Sequence, residues 1–211
     1  MKLLLTSAGI TNQSLANALI SLVGKPIGEI TIGFIPTAAN VEPGNKDWYI
    51  AQLTNLHKYG FTWIDVVDIS APGVAWGERL ADVDVILVGG GNTFHLLDQI
   101  RKTKFDDWLS VNLGNKVYVG ISAGTIIATP SIAIAGVDDG DVNNSGITDV
   151  TGLHFVDFEM SVHTPESVSH KGNKKYLETI SNELYALDNE SGIVVENEKV
   201  DVVSEGKWCL Y

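Results

Sequence analysis

The chain has 211 residues, 45% hydrophobic and 19% charged, which is material for one sizeable core and a single domain over 1–211. Against 26 acidic residues stand 14 basic ones, and the net charge of -12 excludes the basic patch that nucleic acid or an anionic membrane would need. The lone Cys209 excludes an internal disulfide and a cysteine zinc site, and the cytoplasm is the simplest compartment to expect.

At the N-terminus, the apolar run Leu3-Leu4-Leu5 is too short for a secretory core and reads as a first strand over 2–6. Similar runs without strict alternation recur at 30–35, 62–67, 83–88 and 116–119, the pattern of strands buried on both faces. Between them, 11–22 carries Leu15, Ala18, Leu19 and Leu22 at helical spacing, and 45–59 and 93–101 behave alike. The β-α-β-α-β order predicts a doubly wound α/β fold, with a mostly parallel sheet flanked by helices and its site beyond the carboxyl ends of the strands. Further on, 132–135 and 156–160 read as strands and 174–187 as one helix, while 192–195 and 199–203 form a C-terminal hairpin about Glu196-Asn197-Glu198. The Gly-Asp-Asn segment 136–146 reads as a mobile surface loop. No stretch of about 18 apolar residues is present, so no membrane span is expected.

The segment GISAGT, 120–125, places Ser122 between Gly120 and Gly124 where a buried strand gives way to a helical run over 125–128. A nucleophile lifted off a strand end needs a strained turn, and small neighbours let the strand and helix pass closely. The Ala123 N–H is the natural donor to an oxygen that becomes negative during acyl transfer. A helix N-cap is the plainer reading of such a serine, but the strand-turn-helix setting favours the nucleophile. A second cluster, Gly89-Gly90-Gly91, also follows a strand and opens a helix, and its backbone can supply the remainder of an oxyanion hole. No Gly-Lys-Ser/Thr follows it, which speaks against a phosphate loop.

A serine hydroxyl needs an imidazole to take its proton. Of His57, His95, His154, His163 and His170, His163 is best placed, because it follows the strand 156–160 and Pro165 stops the chain just beyond it. His154 reads as a partly buried strand neighbour, and His57 and His170 as solvated residues.

Together VGGGNTFHLL (88–97), GISAGT (120–125) and His163, with FIPTAAN (34–40) and LDNESGIVVEN (187–197), resemble the peptidase E family of aspartyl dipeptidases, which has a class I glutamine amidotransferase-like fold. The likeness runs over nearly the whole chain. It implies a cofactor-free, metal-free serine hydrolase in which Ser122 attacks, His163 is general base and then acid, and amides of Gly90, Gly91 and Ala123 form the oxyanion hole. The third triad member it implies is Glu190, with Asp138 or Asp139 as the alternative. For substrate it implies a short peptide, above all a dipeptide with N-terminal Asp, contacted by Asn92 and by Lys175 in place of the family's arginine. A homodimer stays open, as does a non-catalytic small-molecule-binding role on the same scaffold. An amidotransferase subunit would want a cysteine nucleophile, and Cys209 at the tail is badly placed for that.

Overall fold

Apolar runs become parallel strands here because water is excluded from both of their faces. The computed structural model describes residues 1–137, 140–164 and 171–211. Strands β1 (Lys2–Thr6), β2 (Thr31–Ile35), β4 (Val85–Val88) and β5 (Val117–Ile121) are almost wholly buried, while β3 (Trp63–Val66) lies at the sheet edge and is largely open. Side chains alternate between two cores. Leu3, Leu5, Ile86, Val88 and Tyr118 enter one, and Leu4, Val85, Leu87, Val117 and Val119 enter the other.

The intervening helices are α1 (Gln13–Val23), α2 (Asp47–Lys58), α3 (Trp76–Ala81), α4 (Thr93–Thr103) and α5 (Phe105–Asn112). Asn12 caps α1 by accepting the Leu15 N–H at 3.0 Å, and the left-handed Gly24 ends it. Seven strands form the main sheet in the order β3-β2-β4-β5-β1-β8-β9. The first five are parallel; β8 (Ser191–Glu196) runs antiparallel to β1, and β9 (Lys199–Ser204) antiparallel to β8. Asn197 and Glu198 both take positive φ, as a two-residue hairpin turn matched to strand twist requires.

Two expectations need correction. Residues 132–135 are not a strand: Ala133–Gly136 is a 3-10 turn, and only Ser131 makes an isolated bridge, to Thr151. Nor is 174–187 one helix. Helix α7 (Lys171–Leu177) stops, and β7 (Leu184–Leu187) enters a second sheet between β6 (Glu159–Ser161) and β10 (Trp208–Leu210). Leu177, Ile180, Leu184 and Leu187 fit helical spacing, but the edges of β6 and β10 offer the 184–187 backbone partners that a helix would forgo. The segment 136–146 is tied down where it is described: Asp141 N–H donates to Ala135 O at 2.7 Å and Asn92 Nδ2 donates to Val142 O at 3.1 Å.

Strand β6 leads towards His163 and carries Glu159, 1% exposed, whose Oε2 has no partner among the described residues. Burial pushes its carboxyl pKa up, and hydrogen bonds from neighbours such as Asn182 only partly oppose this. A raised folded value means the proton favours folding: the group's contribution is whole below the ordinary glutamate range and is lost as pH rises through the raised value. Glu159→Gln is therefore expected to melt above the wild type at pH 8, with the gap closing at pH 4, as read by thermal denaturation at both pH values.

Candidate active site

Three central strands, β4, β5 and β1, end side by side, and the chain leaving each contributes to one site. After β5 the backbone turns sharply at Ser122, with φ 50 and ψ -109, and helix α6 (Ala123–Ile126) begins at once. A non-glycine residue with positive φ holds about 1–3 kcal/mol of strain that its surroundings must offset. They do so with hydrogen bonds. Ser122 N–H donates to Thr6 O at 3.1 Å, Thr125 Oγ1 to the same carbonyl at 2.7 Å, and Thr6 Oγ1 to Gly120 O at 2.8 Å. The buried Tyr118 hydroxyl donates to Gly124 O at 2.6 Å and pins the first turn of α6.

The flanking glycines are steric requirements. A Cβ on Gly124 would lie 2.1 Å from Val88 O, and one on Gly120 would lie 2.6 Å from Gly124 O. Gly91, at φ 136, passes so close to Ala38 that a Cβ would meet its carbonyl oxygen at 2.3 Å. The loop after β4 is thereby drawn over the nucleophile: a Cβ on Gly90 would sit 3.2 Å from Ser122 Cβ. The N–H groups of Gly90 and Gly91 have no acceptor among the described residues, whereas those of Gly89 and Asn92 bond to Ile35 O and Ala38 O.

His163 comes from the chain beyond β6. Its Nε2 lies 2.9 Å from Ser122 Oγ and its Nδ1 lies 2.7 Å from Asn189 Oδ1. Its backbone also has positive φ, 56°, and its N–H donates to Ser7 Oγ at 2.8 Å. That hydroxyl, immediately after β1, donates in turn to Asn189 Oδ1 at 3.4 Å. Because Asn189 Oδ1 accepts from Ser7, it accepts from Nδ1–H of His163 as well, which leaves Nε2 as the bare nitrogen facing the serine. That is the tautomer a general base requires.

Glu190 therefore does not stand where it was expected. Its Oε2 accepts from Asn12 Nδ2 at 3.2 Å and its N–H donates to Asp188 Oδ1, so the turn before β8 presents Asn189, one residue earlier, to the imidazole. Adjacent residues of a turn point in different directions, and which of them faces His163 is set by how β8 pairs with β1. Asp138 and Asp139 lie outside the described residues. Asn92 is 5% exposed and spent on structure: Oδ1 caps α4 by accepting the His95 N–H at 2.9 Å, and Nδ2 holds Val142 O. Lys175 is exposed on α7 and does not line the cavity. His154 pairs with Asp157 away from the serine, at 3.0 Å.

The cavity over Ser122 has a volume of about 320 Å³, and its walls include Trp48, Gln52, Gly90, Gly91, Asp141 and His163. Sequence reasoning missed Asn189, Ser7, Gln52 and Asp141. Only the position of Ser7 at a strand end was a signal available beforehand.

A strained serine at a strand end, an imidazole in the accepting tautomer and a hydrogen-bonded partner behind it, all on a doubly wound α/β sheet, form the kind of arrangement that serine hydrolases use. The matching family model is "Peptidase family S51", over residues 3–203. A peptidase of Pasteurella multocida is 31% identical over 172 residues, 80% of this chain and 82% of that one. A peptidase E of a Nostoc species is 27% identical over 94% of this chain and 79% of its own length. A peptidase E-like protein of Listeria monocytogenes superposes with a TM-score of 0.81 at 25% identity, covering 96% and 98% of the two chains. The chain belongs to peptidase family S51.

Asn189→Ala leaves Nδ1–H of His163 without its acceptor and frees the ring to turn, so kcat is expected to fall by about 10²-fold or more with the melting temperature little changed. Asn189→Asp keeps the acceptor and adds a charge that stabilises the imidazolium, so it should retain turnover and move the acid limb of the pH–rate profile to higher pH. Steady-state kinetics across pH on both variants check this. For the elbow, Gly124→Ala should cost about 1–3 kcal/mol of stability through overpacking against Val88, measured by chemical denaturation.

Proposed function

We propose that the chain hydrolyses short peptides through an acyl-enzyme, with Ser122, His163 and Asn189 acting as the triad. Ser122 Oγ attacks the scissile carbonyl while His163 Nε2 takes its proton. Asn189 Oδ1 holds the resulting imidazolium in orientation, and the proton then passes to the leaving amine. Water, activated by the same imidazole, releases the acyl group. The free N–H groups of Gly90 and Gly91, together with that of Ala123, receive the tetrahedral oxyanion.

The observation that carries this reading is the 2.9 Å approach of His163 Nε2 to Ser122 Oγ, with Nδ1 already committed elsewhere. An amide in the third place is chemically sufficient, since its tasks are to fix the tautomer and the ring; it contributes less than a carboxylate to stabilising the imidazolium.

Dipeptides with N-terminal Asp are the substrates that kinship with peptidase E implies. Among the described cavity residues there is no lysine or arginine to receive an aspartate side chain, and Lys175 stands on the outer helix. The reading proposed is thus a short-peptide hydrolase, with dipeptides that begin with aspartate as the substrates to test first.

Ser122→Ala should fold as the wild type does and lose turnover by about 10⁴-fold or more, with a fluorophosphonate labelling Ser122 in the wild type alone. Dipeptides beginning with Asp, Asn, Glu, Ala and Leu, followed by amine release, provide the substrate readout. Unchanged hydrolysis by the alanine variant would refute the assignment.

A further inference from the structure

An amide behind the imidazole must be the right way round, a condition that a carboxylate does not impose. Both oxygens of a carboxylate accept, whereas a carboxamide has one accepting end and one donating end of nearly the same shape. The ring does not choose between them: His163 Nδ1 donates to Oδ1 in one tautomer and would accept from Nδ2 in the other, across the same 2.7 Å contact. The outcomes are opposite. With Nδ2 turned to the ring, Nδ1 is bare, Nε2 carries the proton and Ser122 loses its base. An amide that imposes this wrong tautomer costs a serine protease about 10⁴-fold in kcat.

The backbone around Asn189 is held. Thr11 Oγ1 donates to Asn189 O at 2.9 Å and Ser7 N–H donates to Ser191 O at 3.2 Å, which leaves the exposed amide itself to turn. Among the described residues, Ser7 is the side chain that tells its two ends apart. Ser7 is wholly buried, at 0% exposed, so its hydroxyl hydrogen has no water to bond. Its oxygen accepts the His163 N–H at 2.8 Å, and its hydrogen has one acceptor among the described residues, Asn189 Oδ1 at 3.4 Å. That contact is long, and its weight lies in the alternative: an amide turned round would face a donor with a donor and strand a buried hydroxyl hydrogen. Leaving a buried donor unpaired costs more than an ordinary hydrogen bond contributes.

We propose that Ser7 is a positioning residue: its buried O–H selects the orientation of the Asn189 amide and, through it, the tautomer of His163. The kinetic consequence rests on the peptidase reading of the site; the effect on the tautomer does not. Because the need arises from the amide, it vanishes when residue 189 is a carboxylate.

Nitrogen-15 NMR of the imidazoles, at a pH where the ring is neutral and with the His163 signals assigned by their loss in His163→Gln, reads the tautomer directly. The wild type should be protonated at Nδ1 and bare at Nε2. Ser7→Ala should populate the Nε2-protonated form and lower kcat for Asp-Leu about 5-fold or more, with KM little altered. In Ser7→Ala/Asn189→Asp the ring should return to Nδ1–H, and kcat should stay within about 2-fold of Asn189→Asp alone, the non-additivity expected of coupled residues. Ser7→Cys, close in shape and a weaker donor, replaces the alanine variant if that one does not fold, and should raise the Nε2-protonated share above the wild-type level. A wild-type ring protonated at Nε2, or a tautomer that neither Ser7 variant moves, overturns the role. So does an equal loss of kcat in the Asn189→Asp background, which would reduce Ser7 to a partner of the His163 N–H. The expected tautomer shift in a protein that hydrolyses no dipeptide would keep the role and remove the peptidase reading, whereas hydrolysis with a tautomer indifferent to Ser7 would do the reverse.

Discussion

The hydrogen bond from Ser122 N–H to Thr6 O holds together the ends of the two central strands on which the site is built. Thr6 is the last residue of β1 and Ser122 the first beyond β5, so the bond continues the parallel ladder one step past the sheet, at the point where the chain bends. Continuing the ladder requires the serine to accept positive φ. Thr125 and Tyr118 then fix the helix that follows, and the two glycines leave it room against Val88 and the strand. A serine held in this way meets the His163 imidazole in a fixed orientation.

From the same β1 end, the chain reaches across to the imidazole of His163. Ser7 accepts the backbone N–H of His163 and donates to Asn189 Oδ1 behind the ring, linking β1 to both residues through one short segment. Asn189 is itself positioned by β8, which pairs antiparallel with β1. Ser122, His163 and Asn189 are thus brought together around β1 although none of them belongs to that strand.

The cavity walls come from a separate part of the fold. The loop after the 3-10 turn brings Asp141 to the start of α4, where it accepts the Thr93 N–H; α2 delivers Gln52 from the opposite side. Two acidic residues, Glu42 and Asp141, thus stand among the described lining of the cavity.

Much of this architecture was legible in the chain itself. Two-sided burial writes near-continuous apolar runs, which located five strands, and the Gly-x-Ser-x-Gly spacing located the nucleophile because only small residues allow that bend. His163 was recoverable as well, since a strand followed by a proline marks an exposed strand end. What sequence could not supply were decisions taken between distant segments. Leu184–Leu187 became a strand because β6 and β10 offered edges to it, against a helical spacing that was equally good locally. Asn189 rather than Glu190 faces the imidazole because the pairing of β8 with β1 fixes which side of a turn looks inward. Asp141 joined the cavity because a polar loop that reads as solvated was drawn onto the start of α4, where it accepts the Thr93 N–H that the Asn92 cap leaves open. Local patterning specifies which residues enter strands and bends, while the facing of each side chain depends on a backbone brought from elsewhere, and that exists only once the chain has folded.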